Sequence, residues 1–71
     1  MNKFLLYRAR LGITQQELAR RAGVGTVTIS NLEHGRRRNV RPRTIGKIAS
    51  VLGADIEDLM DEAREPELEE V

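Results

Sequence analysis

The chain has 71 residues, with 12 Lys and Arg against 11 Asp and Glu, no Cys and one His. That composition excludes a disulfide framework, a thiolate zinc site, a cysteine nucleophile and a multi-histidine metal site, and a domain this small buries only roughly 60% of its unfolded surface, too little for a substrate pocket beside a core. The net charge of +1 hides an asymmetry: residues 1–54 hold eleven basic side chains against Glu17 and Glu33, whereas residues 55–71 hold nine acidic ones and Arg64, which points to a basic body that meets a polyanion and an acidic end with another task.

No stretch is long and apolar enough for a membrane span or a secretory h-region, so the expectation is a soluble cytoplasmic protein with no membrane contact. Two aromatics in all and β-branched residues at helical spacing predict an all-α chain. Phe4, Arg8 and Leu11 follow i, i+4, i+7 with Tyr7 beside them and mark a first helix over about residues 2–11, ended by Gly12. An arginine thus lies inside an apolar stripe. Thr14 and Glu17 then form a capping box, and Ile13 and Leu18 a hydrophobic staple, opening a second helix over 15–22. Gly23 is the expected left-handed residue after it, and Gly23-Val24-Gly25 leads directly to a third helix over about 26–34, with Gly25 as its N-cap, Val24 and Ile29 as a second staple and Gly35 as its stop. Two short helices joined by a glycine-containing turn of three residues have the spacing of a helix-turn-helix.

Residues 36–43 read as a loop that carries Arg36, Arg37, Arg38, Arg41 and Arg43. Ile45, Ile48, Ala49 and Leu52 mark a fourth helix, which Gly46 weakens by up to about 1 kcal/mol and Gly53 ends. Asp55 caps a fifth helix bearing Ile56, Leu59, Met60 and Ala63, limited by Pro66 to about residue 65. The organisation expected is one domain over 1–65 and a frayed acidic tail over 66–71.

The 100° step along the third helix separates Ile29, Leu32 and Glu33, which face a core, from Val27, Ser30, Asn31 and His34. The second set reads either as a solvated face or as a surface for base edges. Asn31 suits a bidentate pair with adenine, Thr26 and Ser30 suit bases or phosphates, and Val27 suits a thymine methyl. An arginine run alone reads as solvated surface, but directly after this face it argues for phosphate binding, with Gln15 at the start of the second helix as a further contact. One of Arg38, Arg41 and Arg43 also suits a narrow minor groove. Arg8 and Glu33, both charged at core-facing positions, are expected to pair as a structural salt bridge. His34 is expected at the surface near phosphate. No catalytic set, cofactor motif or metal-ligand spacing stands out, so the chain reads as a binding module and not an enzyme.

The residues Ile13-Thr14-Gln15-Gln16-Glu17-Leu18-Ala19, Gly23-Val24 and Thr28-Ile29-Ser30-Asn31-Leu32-Glu33-His34-Gly35 resemble the Cro and phage-repressor type of helix-turn-helix, also known as the xenobiotic response element family. The resemblance covers about residues 2–60. It implies a compact, lambda-repressor-like bundle of five helices that binds double-stranded operator DNA, usually as a homodimer. By position it assigns Gln15 to phosphate and to support of the recognition helix, Thr26, Val27, Thr28 and Asn31 to base or backbone reading, and Arg8 with Glu33 to a buried pair. Arg41 falls where some relatives send an arginine into the minor groove. Gly25 and Val27 depart from the polar residues common at those positions.

Two readings of function result. The first is a sequence-specific transcriptional regulator, most simply a repressor, that reads the major groove with its third helix and clamps phosphates with the loop 36–43. The second is an antitoxin-like or coactivator-like interaction module whose acidic fifth helix and tail engage a basic protein partner, with DNA binding autoregulatory. Leu5 and Leu6, or Met60, Ala63, Leu68 and Val71, are the candidate dimer patches.

Overall fold

Asn2, Thr14 and Asp55 each place a side-chain oxygen on the first free amides of a helix, and these caps set three of the five helix starts in the computed structural model. The structure describes residues 2–36 and 40–63. Over them run α1 (Lys3–Leu11), α2 (Gln15–Ala22), α3 (Thr26–Glu33), α4 (Pro42–Leu52) and α5 (Ile56–Ala63). The expected end of α5 near residue 65, the tail 66–71 and the arginines Arg37 and Arg38 lie outside the described residues.

Three boundaries differ from the sequence reading. Asn2 stands outside α1 as its cap, accepting from the amides of Phe4 and Leu5 at 2.8 and 3.2 Å. α3 stops at Glu33, because Gly35 adopts φ +74° and the Arg36 N–H turns back to the Asn31 carbonyl at 2.8 Å, closing the helix one residue early. α4 begins at Pro42, ahead of its apolar residues, because the proline ring presets the helical φ at a position whose N–H needs no partner. Arg43 therefore belongs to the first turn of a helix and not to a loop.

Each helix contributes to one core. Phe4 from α1, Leu18 from α2, Ile29 and Leu32 from α3, Ile45 and Ile48 from α4 and Leu59 from α5 are fully buried, with Ala19, Ala22, Ala49 and Leu52 between them. Burial at these positions follows the i, i+3, i+4 spacing and drives the packing of α2 on α3 and α4, of α4 on α5, and of α1 across α3 and α5. Leu11 and Ile56 are each 43% exposed, so their stripes run out at the ends of α1 and α5.

At Gly23, φ +71° lets the chain reverse within three residues: the amides of Gly23 and Val24 return to the carbonyls of Arg20 and Ala19. Val24 then packs against the core cluster that contains Ile29, which restrains the angle at which α3 leaves. The turn and staple set α3 across α2 with its outward side uncovered.

Candidate nucleic-acid interface

On α3 the buried and exposed residues separate as the helical step demands. Ile29, Leu32 and Glu33 are 1%, 2% and 9% exposed, whereas Val27 is 71% exposed. Thr26 and His34 are exposed at the two ends, and Thr28, Ser30 and Asn31 are half-buried between them. The His34 Nδ1 lies 2.8 Å from the Ser30 carbonyl, so the ring folds back along its own helix. Arg36 follows directly and is exposed, as are Arg41, the N-cap of α4, and Arg43.

Neither α3 nor α4 has a side-chain cap, since Gly25 offers no side chain and Arg41 no acceptor. Arg41 and Arg43 thus add positive charge to a helix end that is already positive. That arrangement opposes helix stability and suits an anion.

The inner side of α3 is held by one polar cluster. Arg8 donates from Nε and Nη2 to the two carboxylate oxygens of Glu33, at 2.5 and 2.9 Å, and from Nη1 to the Ile13 carbonyl at 2.8 Å. Gln15 Nε2 adds a bond to Glu33 Oε1 at 2.9 Å. Among the described residues no buried side-chain nitrogen or oxygen lacks a partner. Burial pushes the Glu33 carboxyl up, but the hydrogen bonds from Arg8 and Gln15 outweigh it and leave the group below the ordinary carboxylate range. Its own bonds to Glu33 raise the Arg8 guanidinium. The structure therefore brings Arg8, Gln15 and Glu33 together. Gln15, expected to contact phosphate and to support the third helix, spends one of its two amide hydrogens on Glu33, so the start of α2 is linked to the end of α3.

Two further groups of contacts carry no signal in the sequence. Glu17, placed in a capping box, faces Arg20 and Arg21 with its carboxylate, and hydrogen bonds from these two arginines lower it to about 2. Its amide does meet the Thr14 hydroxyl, at 3.0 Å. On the other side of the molecule, part of the acidic end ties α5 to α1: Asp58 accepts from the Tyr7 hydroxyl at 3.1 Å and pairs with Lys3 at 3.5 Å, and Glu62 accepts from the Lys3 amide at 3.0 Å. The Asp58 bond holds the Tyr7 hydroxyl above its ordinary value, and the Arg10 guanidinium sits 5.8 Å from the centre of the same ring.

Among the described residues no helix is long and apolar enough to cross a membrane, and no group of three or more His, Cys, Asp or Glu residues is arranged to hold a metal ion.

A helix-turn-helix family model matches residues 6–59. The chain is 44% identical over 55 residues to an uncharacterized HTH-type transcriptional regulator, RghRB, of Bacillus subtilis (strain 168), a match spanning 78% of this chain and 39% of that protein. It is 49% identical over 53 residues to an uncharacterized HTH-type transcriptional regulator of Archaeoglobus fulgidus, spanning 75% of this chain and 74% of the relative, and 45% identical over 53 residues to a second from the same organism, spanning 75% and 73%. No solved structure gives a significant match. With all five helices touched by the matched segment and the turn geometry of α2 and α3 in place, the chain belongs to the helix-turn-helix family of the Cro and phage-repressor type.

Proposed function

We propose that this protein is a cytoplasmic, sequence-specific regulator of transcription that binds double-stranded operator DNA as a homodimer and acts as a repressor. One observation carries the reading: α3 buries Ile29, Leu32 and Glu33 while presenting Val27 at 71% exposure among Thr26, Thr28, Ser30 and Asn31. A short polar helix face with one small apolar side chain matches the donors, acceptors and thymine methyl of a major groove. Arg36, Arg41, Arg43, His34 and the remaining amide hydrogen of Gln15 then supply phosphate contacts, which set register without reading sequence. The names of the relatives as transcriptional regulators support the same reading.

Selection of bound duplexes from a randomised pool, with the stoichiometry of the complex on the winning site, is the direct test. The expected winner is a palindrome with half-sites about one helical turn apart, bound by two chains. Recovery of no preferred sequence contradicts the proposal.

Arg41→Ala and Arg43→Ala give an independent check. Each should weaken binding by a similar factor on every duplex and reduce by about one the slope of log affinity against log salt, which is near −0.9 per phosphate neutralised. Titrations at several salt concentrations read both quantities.

The interaction-module reading draws on the exposed acids Glu57 and Asp61 of α5 and on Asp55, which caps it. Asp58 and Glu62 of the same helix are turned to α1, which leaves a smaller acidic surface for a basic partner. Stoichiometric co-purification with a basic protein would favour it.

A further inference from the structure

We infer that Asn2 is a positioning residue for DNA recognition, acting on α3 from outside the helix-turn-helix. The role rests on the DNA-reading face proposed above.

The Asn2 side chain has two uses that its two ends keep separate. Oδ1 caps α1, accepting from the amides of Phe4 and Leu5. Nδ2 donates to the Leu32 carbonyl at 2.9 Å, across 30 residues of sequence. Leu32 is in the last turn of α3, where carbonyls have no further amide of the helix to accept. Within the turn that ends the helix it accepts from the Gly35 amide, at a long 3.3 Å, and the His34 amide also turns toward it. Asn2 gives this carbonyl a shorter, side-chain bond and fastens the end of α3 to the start of α1.

Arg8 holds the neighbouring residue, Glu33, from the far end of the same helix α1. The buried Ile29 and Leu32 side chains already restrain roll of α3 about its axis, and the ties to α1 act on the small roll that packing leaves. Two anchors, on the backbone of Leu32 and the side chain of Glu33, oppose that roll. The motion matters because side-chain tips lie some 5 to 6 Å from a helix axis, so a roll of about 10° moves them about 1 Å. Bidentate contacts from Asn31 or hydrogen bonds from Thr28 tolerate little more than this, whereas contacts of flexible arginines with phosphate absorb it. Loss of the Asn2 bond should therefore cost discrimination between sequences more than it costs binding itself.

Asn2→Asp separates the two uses. Aspartate caps a helix as well as asparagine does, and its charge suits the helix start, so α1 keeps its cap. A carboxylate has no hydrogen to give, and its oxygen would face the Leu32 carbonyl oxygen. The variant is titrated against the duplex that emerges from selection and against a random duplex of equal length, at a temperature where a melt shows it fully folded. The added negative charge weakens both titrations alike, so the ratio of the two affinities is the readout. We expect that ratio to fall roughly three- to tenfold, the size of one net hydrogen bond. Asn2→Ala, which loses cap and tie together, should lower the ratio to a similar degree and the melting temperature as well. An unchanged ratio in folded Asn2→Asp overturns the positioning role. A wild-type protein that fails to distinguish the two duplexes overturns the DNA-reading face itself, an outcome visible before any variant is made.

Discussion

Arg8→Met should destabilise the protein by roughly 3–5 kcal/mol, because it removes one member of a buried ion pair and leaves the other without its countercharge. A domain of this length has roughly 0.05–0.15 kcal/mol of stability per residue, so the loss is a large share of the whole and should lower the melting temperature by tens of degrees or abolish the transition. The two partners are not equivalent. The Glu33 side chain is 3% exposed and the Arg8 side chain 17%. Glu33→Gln should therefore cost less, since the remaining guanidinium keeps its bond to the Ile13 carbonyl and some water, and a glutamine carbonyl still accepts. Replacing both residues with Met should recover most of the loss, as buried pairs exchanged for apolar side chains of similar volume are often neutral.

Acid distinguishes the pairing from simple loss of packing. In the wild type the Glu33 carboxyl is held below its unfolded value of 4.5, so its contribution is fully present above that pH and is lost as pH falls through the folded value. In Arg8→Met the hydrogen bonds and charge of Arg8 are gone and only the bond from Gln15 still opposes burial, the largest influence on this group, so the carboxyl should move above 4.5. The folded state then binds the proton more tightly than the unfolded one, so near the unfolded value the contribution of this group grows as pH falls. Urea melts of both proteins between about pH 4 and 7 should show opposite slopes from this one group.

Much of this arrangement was legible because its signals are local. The Thr14 cap and the Gly23 turn each involve residues within five positions of one another and stand in the fold where the spacing put them, and Val24 packs on the core cluster that contains Ile29. Arg8 and Glu33 could be paired across 25 residues only because two charges at core-facing positions require compensation. Asn2 gave no such signal. Its cap follows a local rule, but its bond to the Leu32 carbonyl involves a backbone group, and every residue carries one. Asp58 and Glu62 likewise read as part of an acidic run, and only the packing of α5 on α1 turns them toward Tyr7 and Lys3. Pro42 was a usable signal for the start of α4, masked by the arginines around it.

Asn31→Ala tests the outward face of α3 where its chemistry is most specific. Alanine is the better helix former, and the Asn31 backbone carbonyl still accepts from the Arg36 amide, so the fold should be as stable as the wild type or slightly more so. Any loss of binding then reports on contact with DNA. A side-chain amide that meets the N6 and N7 edge of adenine contributes about 1–3 kcal/mol of discrimination, or roughly five- to 150-fold, at one base pair and nothing at the others. The measurement is a set of duplexes in which each position of the selected half-site is changed in turn. Wild-type affinity should drop at several positions, and in Asn31→Ala the drop should vanish at one of them, an A·T pair, while persisting elsewhere. A loss equal at every position would place Asn31 on the phosphate backbone, and unchanged affinities throughout would take it out of the interface altogether. Because α3 is fixed from its other side by Arg8 and Gln15, the affected base pair should stay the same when Arg41 or Arg43 is removed. Base reading and phosphate clamping would then be separable to within about 0.5 kcal/mol, the additivity expected of distant sites.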